Sequence, residues 1–143
     1  MGIILSINVS KKKGCRKKRV EKARVNEYGI EGDAHAGKGL RQMSFLTLES
    51  IEKMRKKGYN IQYGELAENI TLGGISPKDI KVGKKLKIGK EVIVEITKIG
   101  KDCKEDCSLF KGHFEDCMMA KEGFFAKVIR GGEIKIGDAV EIT

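Results

Sequence analysis

The sequence predicts a mainly β protein: a small, closed or partly open antiparallel barrel with one or two short helices, forming a single domain over residues 1–143. Three observations carry this expectation. There are 18 glycines against 1 proline, which suits tight turns between short elements. Several segments alternate apolar and polar residues with period two. Only one stretch combines helical spacing with proper ends. At 143 residues and 40% hydrophobic content the chain suits one domain with one modest core.

In order, Ile3, Leu5, Ile7 and Val9 alternate and predict a strand over Ile3–Val9. Lys11–Arg19 is a basic loop with seven cations. Val20–Asn26 reads as a weak strand, and Gly29–Gly39 as a glycine-rich loop. Arg41–Thr47 reads as a strand. Thr47 then caps a helix over Leu48–Lys57, with Leu48, Ile51 and Met54 on one face, Glu49 in the first turn and Lys53, Arg55, Lys56 and Lys57 in the last. Gly58 stops it. Gly64–Leu72 reads as a turn with a helical start that enters a strand at Ile70. Val82–Ile88 and Ile136–Ile142 share one pattern: an apolar residue, a glycine, two residues, then alternation. Each is a turn feeding a strand. Val92, Val94 and Ile96 continue from a hairpin at Gly89. Phe124, Phe125, Val128 and Ile129 are spaced like a helix face ended by Gly131 and Gly132.

Lys and Arg number 29 against 20 Asp and Glu, a net charge of +9. That balance fits an anionic partner without choosing among phosphate, nucleic acid and membrane surface. The absence of Trp, an aromatic content of 6% and the lack of an RNP-like segment weigh against nucleic acid. No segment approaches the roughly 20 apolar residues that span a bilayer, so no membrane partner is expected. With four cysteines and no visible export signal, the thiols are expected to be reduced and the protein cytoplasmic.

The chemistry concentrates in Ile99–Phe125, which holds Cys103, Cys107, Cys117 and His113. Cys103 lies between Lys101 and Lys104, and neighbouring cations lower a thiol's pKa below its usual value of about 8.5. Asp102, Glu105 and Asp106 oppose this. A thiolate there could attack, or carry sulfur as a persulfide; Cys103 and Cys107 could equally be small buried hydrophobes. The run Cys103, Cys107, His113, Cys117 could alternatively hold a structural zinc. In the glycine-rich loop the spacing excludes a P-loop. His35 there is either an acid–base group or a hydrogen-bonded structural histidine. Arg41 is either a fixed fork for a carboxylate or phosphate, or a buried ion pair with Glu31, Asp33 or Glu68. Glu68 and Asn69, just before a strand, are placed to tie loops together.

Tyr28–Gly37 (YGIEGDAHAG), Arg41–Ser44, Glu49–Ile51, Glu68–Thr71, Gly100–Cys107 (GKDCKEDC), Asp116–Met118, Glu122–Val128 and Gly131–Asp138, in that order, resemble the MOSC domain, named for the C-terminal part of molybdenum cofactor sulfurases. The likeness is to its short, stand-alone bacterial type. It implies a mostly β barrel of the kind also found in pyruvate kinase, and a role in handling sulfur, the molybdenum cofactor (molybdopterin), or both. The resemblance places the sulfur-carrying cysteine at Cys103, with Cys107 and Cys117 as secondary thiols. Pyridoxal phosphate binding, often attached to the family, belongs to a fused desulfurase domain, and no lysine here is assigned to it. Two positions depart from the subtype: Lys104 stands where a histidine is common, and Ala120 where a proline is.

The resulting expectation is a basic cleft binding the pterin–phosphate part of the molybdenum cofactor, or a related anionic acceptor. Lys17, Lys18, Gly32, Asp33, His35, Gly37, Arg41 and Asn69 would form it, with Cys103 at its edge. A cysteine desulfurase or other sulfur donor would load Cys103. Molybdenum cofactor biosynthesis proteins or molybdoenzymes would be the recipients. The alternative is a non-catalytic cofactor-binding or zinc-stabilised module.

Overall fold

The computed structural model describes residues 1–12, 16–34, 36–100, 110, 112 and 114–143. Its elements run β1 (Gly2–Val9), β2 (Lys18–Val20), β3 (Lys22–Asn26), β4 (Gly29–Ile30), β5 (Met43–Thr47), α1 (Leu48–Lys56), β6 (Ile70–Gly73), β7 (Lys85–Ile88), β8 (Val92–Ile99), α2 (Met118–Glu122), β9 (Phe124–Arg130), β10 (Gly132–Lys135) and β11 (Ala139–Ile142). Short 3-10 turns cover Pro77–Asp79 and Phe114–Asp116.

Seven strands close a barrel in the order β1, β6, β5, β9, β8, β7, β11 and back to β1. β1 makes this possible because two partners share one of its edges. Its start pairs with β11 through Gly2↔Val140, and its end pairs with β2 through Val9↔Lys18, while β6 takes the other edge. The hairpin of β1 and β2 therefore leaves the barrel wall where β11 stops. Val20–Asn26, expected as one strand, is broken at Glu21: β2 stays with β1, and β3 joins β10 and β4 in a separate three-stranded sheet. The ladders are antiparallel except β5 with β6, which run parallel.

The barrel interior is filled by alternating residues, among them Ile4, Ile7, Phe45, Ile70, Leu72, Leu86, Val94, Ile96, Phe124 and Val140. Phe45 and Phe124 stack with centroids 5.0 Å apart. The intervening residues Leu46 and Phe125 point outward into a second cluster with Ile51 and Met54 of α1 and Met118 and Met119 of α2. This explains one misread element. Phe124–Ile129, expected as a helix face, is a strand whose first turns of chain are buried on both sides. Two-sided burial erases the polar half of a strand's alternation and mimics helical spacing. The expected helical start at Gly64 is likewise a turn, in which the Ala67 N–H donates to the Gly64 carbonyl and Ala67 takes a positive φ of 68°.

Under this wall Ser6, Asn8, Ser44, Glu68, Asn69 and Thr71 form a fully buried polar group. Buried polar atoms need partners, and the irregular backbone here needs them too. β1 shifts register between Ile4 and Ser6, and the parallel pair of β5 and β6 starts at this level. Asn69 joins the three strands. Its Oδ1 accepts the Ser44 N–H at 2.9 Å, and its Nδ2 donates to the Asn8 carbonyl at 3.1 Å. Asn8 Nδ2 donates to the Glu68 carbonyl at 3.2 Å, and the Ser6 hydroxyl donates to Asn8 Oδ1 at 2.6 Å. Glu68 Oε2 accepts the Gly64 N–H and the Thr71 hydroxyl, each at 3.0 Å. Its Oε1 is buried with no hydrogen-bond partner.

Burial holds the Glu68 carboxyl above its ordinary value of 4.5, outweighing the donors from Gly64 and Thr71 that favour the anion. A raised pKa in the folded state means that folding takes up a proton. The stability Glu68 contributes is therefore complete below pH 4.5 and is lost as pH rises through the folded-state value. Glu68→Gln, which cannot ionise, is expected to lack that loss. Urea midpoints measured from pH 4 to pH 9 check it: wild type and variant should diverge as pH rises, with the variant flatter.

Candidate functional site

A basic depression lies where the β1–β2 hairpin leaves the barrel. It has a volume of 660 Å³ and is lined by Val9, Ser10, Lys11, Lys12, Arg16, Lys18, Arg19, Val20, Glu31 and Gly32. Val9 and Val20 form its apolar floor and also pack against the barrel core. The rim carries five cations and one acid. Arg16 and Arg19 meet Glu65 and Glu21 only at 3.9 and 3.7 Å, as surface contacts that leave the guanidinium groups free for a ligand. A second depression, lined by Asn26, Tyr28, Glu31, Gly32, Ala36, Gly37 and Lys38, adjoins the first through Glu31 and Gly32.

The walls of the cleft come from three separate segments, and one buried ion pair joins them. Lys17 Nζ lies 2.8 Å from Asp33 Oδ1, with both side chains 1% exposed. The same Asp33 oxygen accepts the Ser10 N–H at 3.0 Å, and Lys17 Nζ also reaches the Ser10 hydroxyl at 3.3 Å. The Ala34 N–H donates to the Ser10 carbonyl at 2.8 Å and the Lys17 N–H to the Gly64 carbonyl at 3.0 Å. The end of β1, the start of β2 and the glycine-rich loop thus meet at one point. Gly64 is required there: its φ is +83°, and a Cβ would come within 2.6 Å of the Lys17 carbonyl oxygen. Gly29, at φ +125°, serves the other side of the loop, where a Cβ would meet the Gln42 carbonyl oxygen at 2.5 Å. The buried Gln42 amide holds that side together, donating to the Glu27 and Gly37 carbonyls at 2.8 Å each.

The expected binding residues divide accordingly. Lys18 and Gly32 line the basic cleft, and Gly37 lines its neighbour. Lys17, Asp33 and Asn69 were expected to face the anion; instead all three are buried and their polar groups are engaged by protein partners, so they build the frame. Arg41 is neither a fork in the cleft nor a buried ion pair. It is exposed, with Cζ 5.3 Å above the Phe125 ring, a cation–π contact. Lys17, the cation one residue from Lys18, makes the buried pair with Asp33, one of the acids considered as an alternative partner for Arg41. His35, Cys103, Cys107 and His113 lie outside the described residues.

Cys117 is described. It is 5% exposed at the N-terminus of α2, in the apolar cluster with Phe110, Met118 and Met119. Among the described residues, no group of three His, Cys, Asp or Glu side chains gathers to hold a metal. The segment before Cys117 is tied to α1: Lys57 Nζ lies 2.7 Å from Asp116 Oδ1, and the Tyr59 hydroxyl donates to Asp116 Oδ2 at 2.8 Å. The hydrogen bond from Lys57 to Asp116 raises the Lys57 pKa. Glu122, at the end of α2, accepts from the Ser50 hydroxyl at 2.7 Å and from Lys53 at 2.6 Å. The basic last turn of α1, legible as a dipole match, thus also anchors α2.

Sequence reasoning took the basic loop as either a solvated stretch or an anion contact. It did not single out Val9, Val20 or Glu31. Their role follows from the hairpin register, which sets Ile7 opposite Val20 and Val9 opposite Lys18. Removing one member of the buried pair leaves an uncompensated charge, a cost of about 3–5 kcal/mol. Lys17→Met is therefore expected to lower stability by about that much. The double variant Lys17→Met/Asp33→Leu is expected to cost less than the sum of its parts, as a double-mutant cycle in urea would read out.

The comparisons with known proteins agree with this architecture. The chain superposes on the crystal structure of the YuaD protein from Bacillus subtilis with a TM-score of 0.82 at 18% identity, covering 99% of this chain and 96% of that one. The YiiM proteins of Geobacillus stearothermophilus and Escherichia coli superpose with TM-scores of 0.75 and 0.74 at 22% and 16% identity. Each covers 100% of this chain, which spans 75% and 70% of theirs. These likenesses concern the fold. None of the curated proteins matches the sequence. The MOSC domain family model matches residues 32–141, from the glycine-rich loop to the last strand, and the chain belongs to that family.

Proposed function

We propose that the basic cleft binds a phosphorylated planar heterocycle, and that for a MOSC domain this ligand is the pterin phosphate of the molybdenum cofactor. The observation that carries this reading is the cleft itself: an apolar floor of Val9 and Val20 under a rim of Lys11, Lys12, Arg16, Lys18 and Arg19. The floor suits a flat ring and the rim suits phosphate oxygens, which accept charge-assisted hydrogen bonds. The donor set fits the group: five cations crowd one opening with a single acid among them, and such crowding is relieved by a bound anion. Bound there, the cofactor would supply molybdenum chemistry; the residues described here bind and orient its organic part.

Cys103 supplies the second half of the proposal. Its thiolate would attack the outer sulfur of a donor persulfide, such as that of a cysteine desulfurase. A sulfur–sulfur bond forms on Cys103, and the donor's own sulfur–sulfur bond breaks to release its thiolate, with no net oxidation. Two contacts tie described residues on either side of Cys103 in the chain to the glycine-rich loop. The Thr97 hydroxyl donates to the carbonyl of Leu40, at the end of the glycine-rich loop, and Thr97 precedes Cys103 by a few residues. Arg41 and Phe125 join the same loop to the far end of the segment. The recipients would be molybdenum cofactor biosynthesis proteins or molybdoenzymes.

Pyrophosphate titrated calorimetrically is expected to bind, and more weakly as salt rises. Arg16→Ala/Arg19→Ala is expected to lose about tenfold or more in affinity, since each lost charge-assisted hydrogen bond is worth about 1.5–3 kcal/mol. Pyrophosphate binding that is indifferent to both salt and these substitutions would remove the cleft from the proposal. Separately, incubation with a cysteine desulfurase and cysteine is expected to add one sulfur atom to the protein's mass, and Cys103→Ser is expected to abolish the gain. Equal loading of the variant, with the other cysteines also replaced, would end the carrier role.

A further inference from the structure

The structure assigns Glu31 as the residue that selects which heterocycle the cleft accepts: its carboxylate reads a pair of adjacent N–H donors, the edge found on a 2-amino-pyrimidin-4-one ring. This inference rests on the anion-binding reading above and deepens it. Among the described residues Glu31 is the one acid lining the basic cleft, and it lines the adjoining depression as well, so it stands where the two meet. It is exposed, and among the described residues it forms no ion pair, although Lys11, Lys12, Arg16, Lys18 and Arg19 line the same opening. An acid at that place weakens the cleft's pull on any anion. Its presence is explained if the carboxylate meets a different part of the ligand.

The backbone presents it rigidly. Glu31 and Gly32 are the central residues of a tight turn in which the Asp33 N–H donates to the Ile30 carbonyl at 3.1 Å, with Gly32 at φ +84°. Ile30, 1% exposed, is fixed in the barrel core, and Asp33 is held by Lys17 and the Ser10 N–H. The Glu31 N–H donates to the Arg24 carbonyl at 2.9 Å. Both ends of the turn are therefore anchored in buried structure, and its two central residues face the opening. A carboxylate offers two parallel acceptor oxygens. Their complement is a ring N–H beside an exocyclic amino group, both donating in one direction. Guanine and pterin rings carry that edge; hypoxanthine lacks the amino group, and adenine has an acceptor in place of the ring N–H.

The test uses the full chain with guanosine, inosine and adenosine 5′-monophosphates, and pyrophosphate as the anion alone. The expected result is that the guanosine nucleotide binds about tenfold or more tighter than the other two, the discrimination of one good bidentate contact. Glu31→Gln, which swaps one acceptor for a donor and removes the opposing charge, is expected to collapse that difference and to bind pyrophosphate more tightly than wild type. If wild type binds pyrophosphate and all three nucleotides alike, or if Glu31→Gln keeps the preference, the assignment to Glu31 is overturned and the anion cleft stands. If pyrophosphate and the nucleotides all fail to bind, the cleft reading falls and this inference with it.

Discussion

The site depends on a single ion pair sealed away from water. Lys17 and Asp33 face each other at 2.8 Å with almost no exposure, and the Ser10 backbone shares the same oxygen. Two charges buried this way are costly to desolvate and tolerable only when each satisfies the other. That requirement leaves little freedom in how β1, β2 and the glycine-rich loop meet. Gly64 and Gly29 let the neighbouring backbones come close enough for the pair to form. The cations and the acid that line the cleft are all carried on these anchored segments, so the opening is preorganised by what lies beneath it.

The uncharged network around Asn69 does comparable work for the barrel. Where β5 and β6 run parallel and β1 slips register, the regular ladder leaves backbone groups without strand partners, and Ser44, Asn8 and Asn69 supply them. Glu68 is the member with an unanswered oxygen, and burial is why its carboxyl resists ionisation. The two networks meet at Gly64, whose N–H goes to Glu68 and whose carbonyl accepts from Lys17. A disturbance at the barrel seam is thereby felt at the cleft.

Phe110, Cys117 and α2 belong to the second apolar cluster and not to this frame. Among the described residues none from Ile99 to Phe125 lines the basic cleft. α2 is held instead to α1 by Glu122 and Asp116, and Cys117 is sunk among methionines and Phe110. Cys117, 5% exposed within this apolar cluster, is a packing residue. The Leu40–Arg41 end of the glycine-rich loop touches Thr97 and Phe125, described residues on either side of Cys103 in the chain.

Much of the fold was legible in the chain. The strands at β1, β5, β7, β8 and β11, the Thr47-capped helix and the barrel class all follow from alternation, glycine placement and capping, because these are local properties read within a few residues. The family signature reads the same way, since the ordered motifs survive as sequence. Strand β9 was lost because burial on both faces removes the local signal. Three-dimensional packing alone decided which cations are buried and which face a ligand. Lys17 and Lys18 are adjacent, and nothing in the string KKR separates them. In the folded chain one side chain turns toward Asp33 and the other toward solvent, because successive residues at a strand's start point to opposite sides.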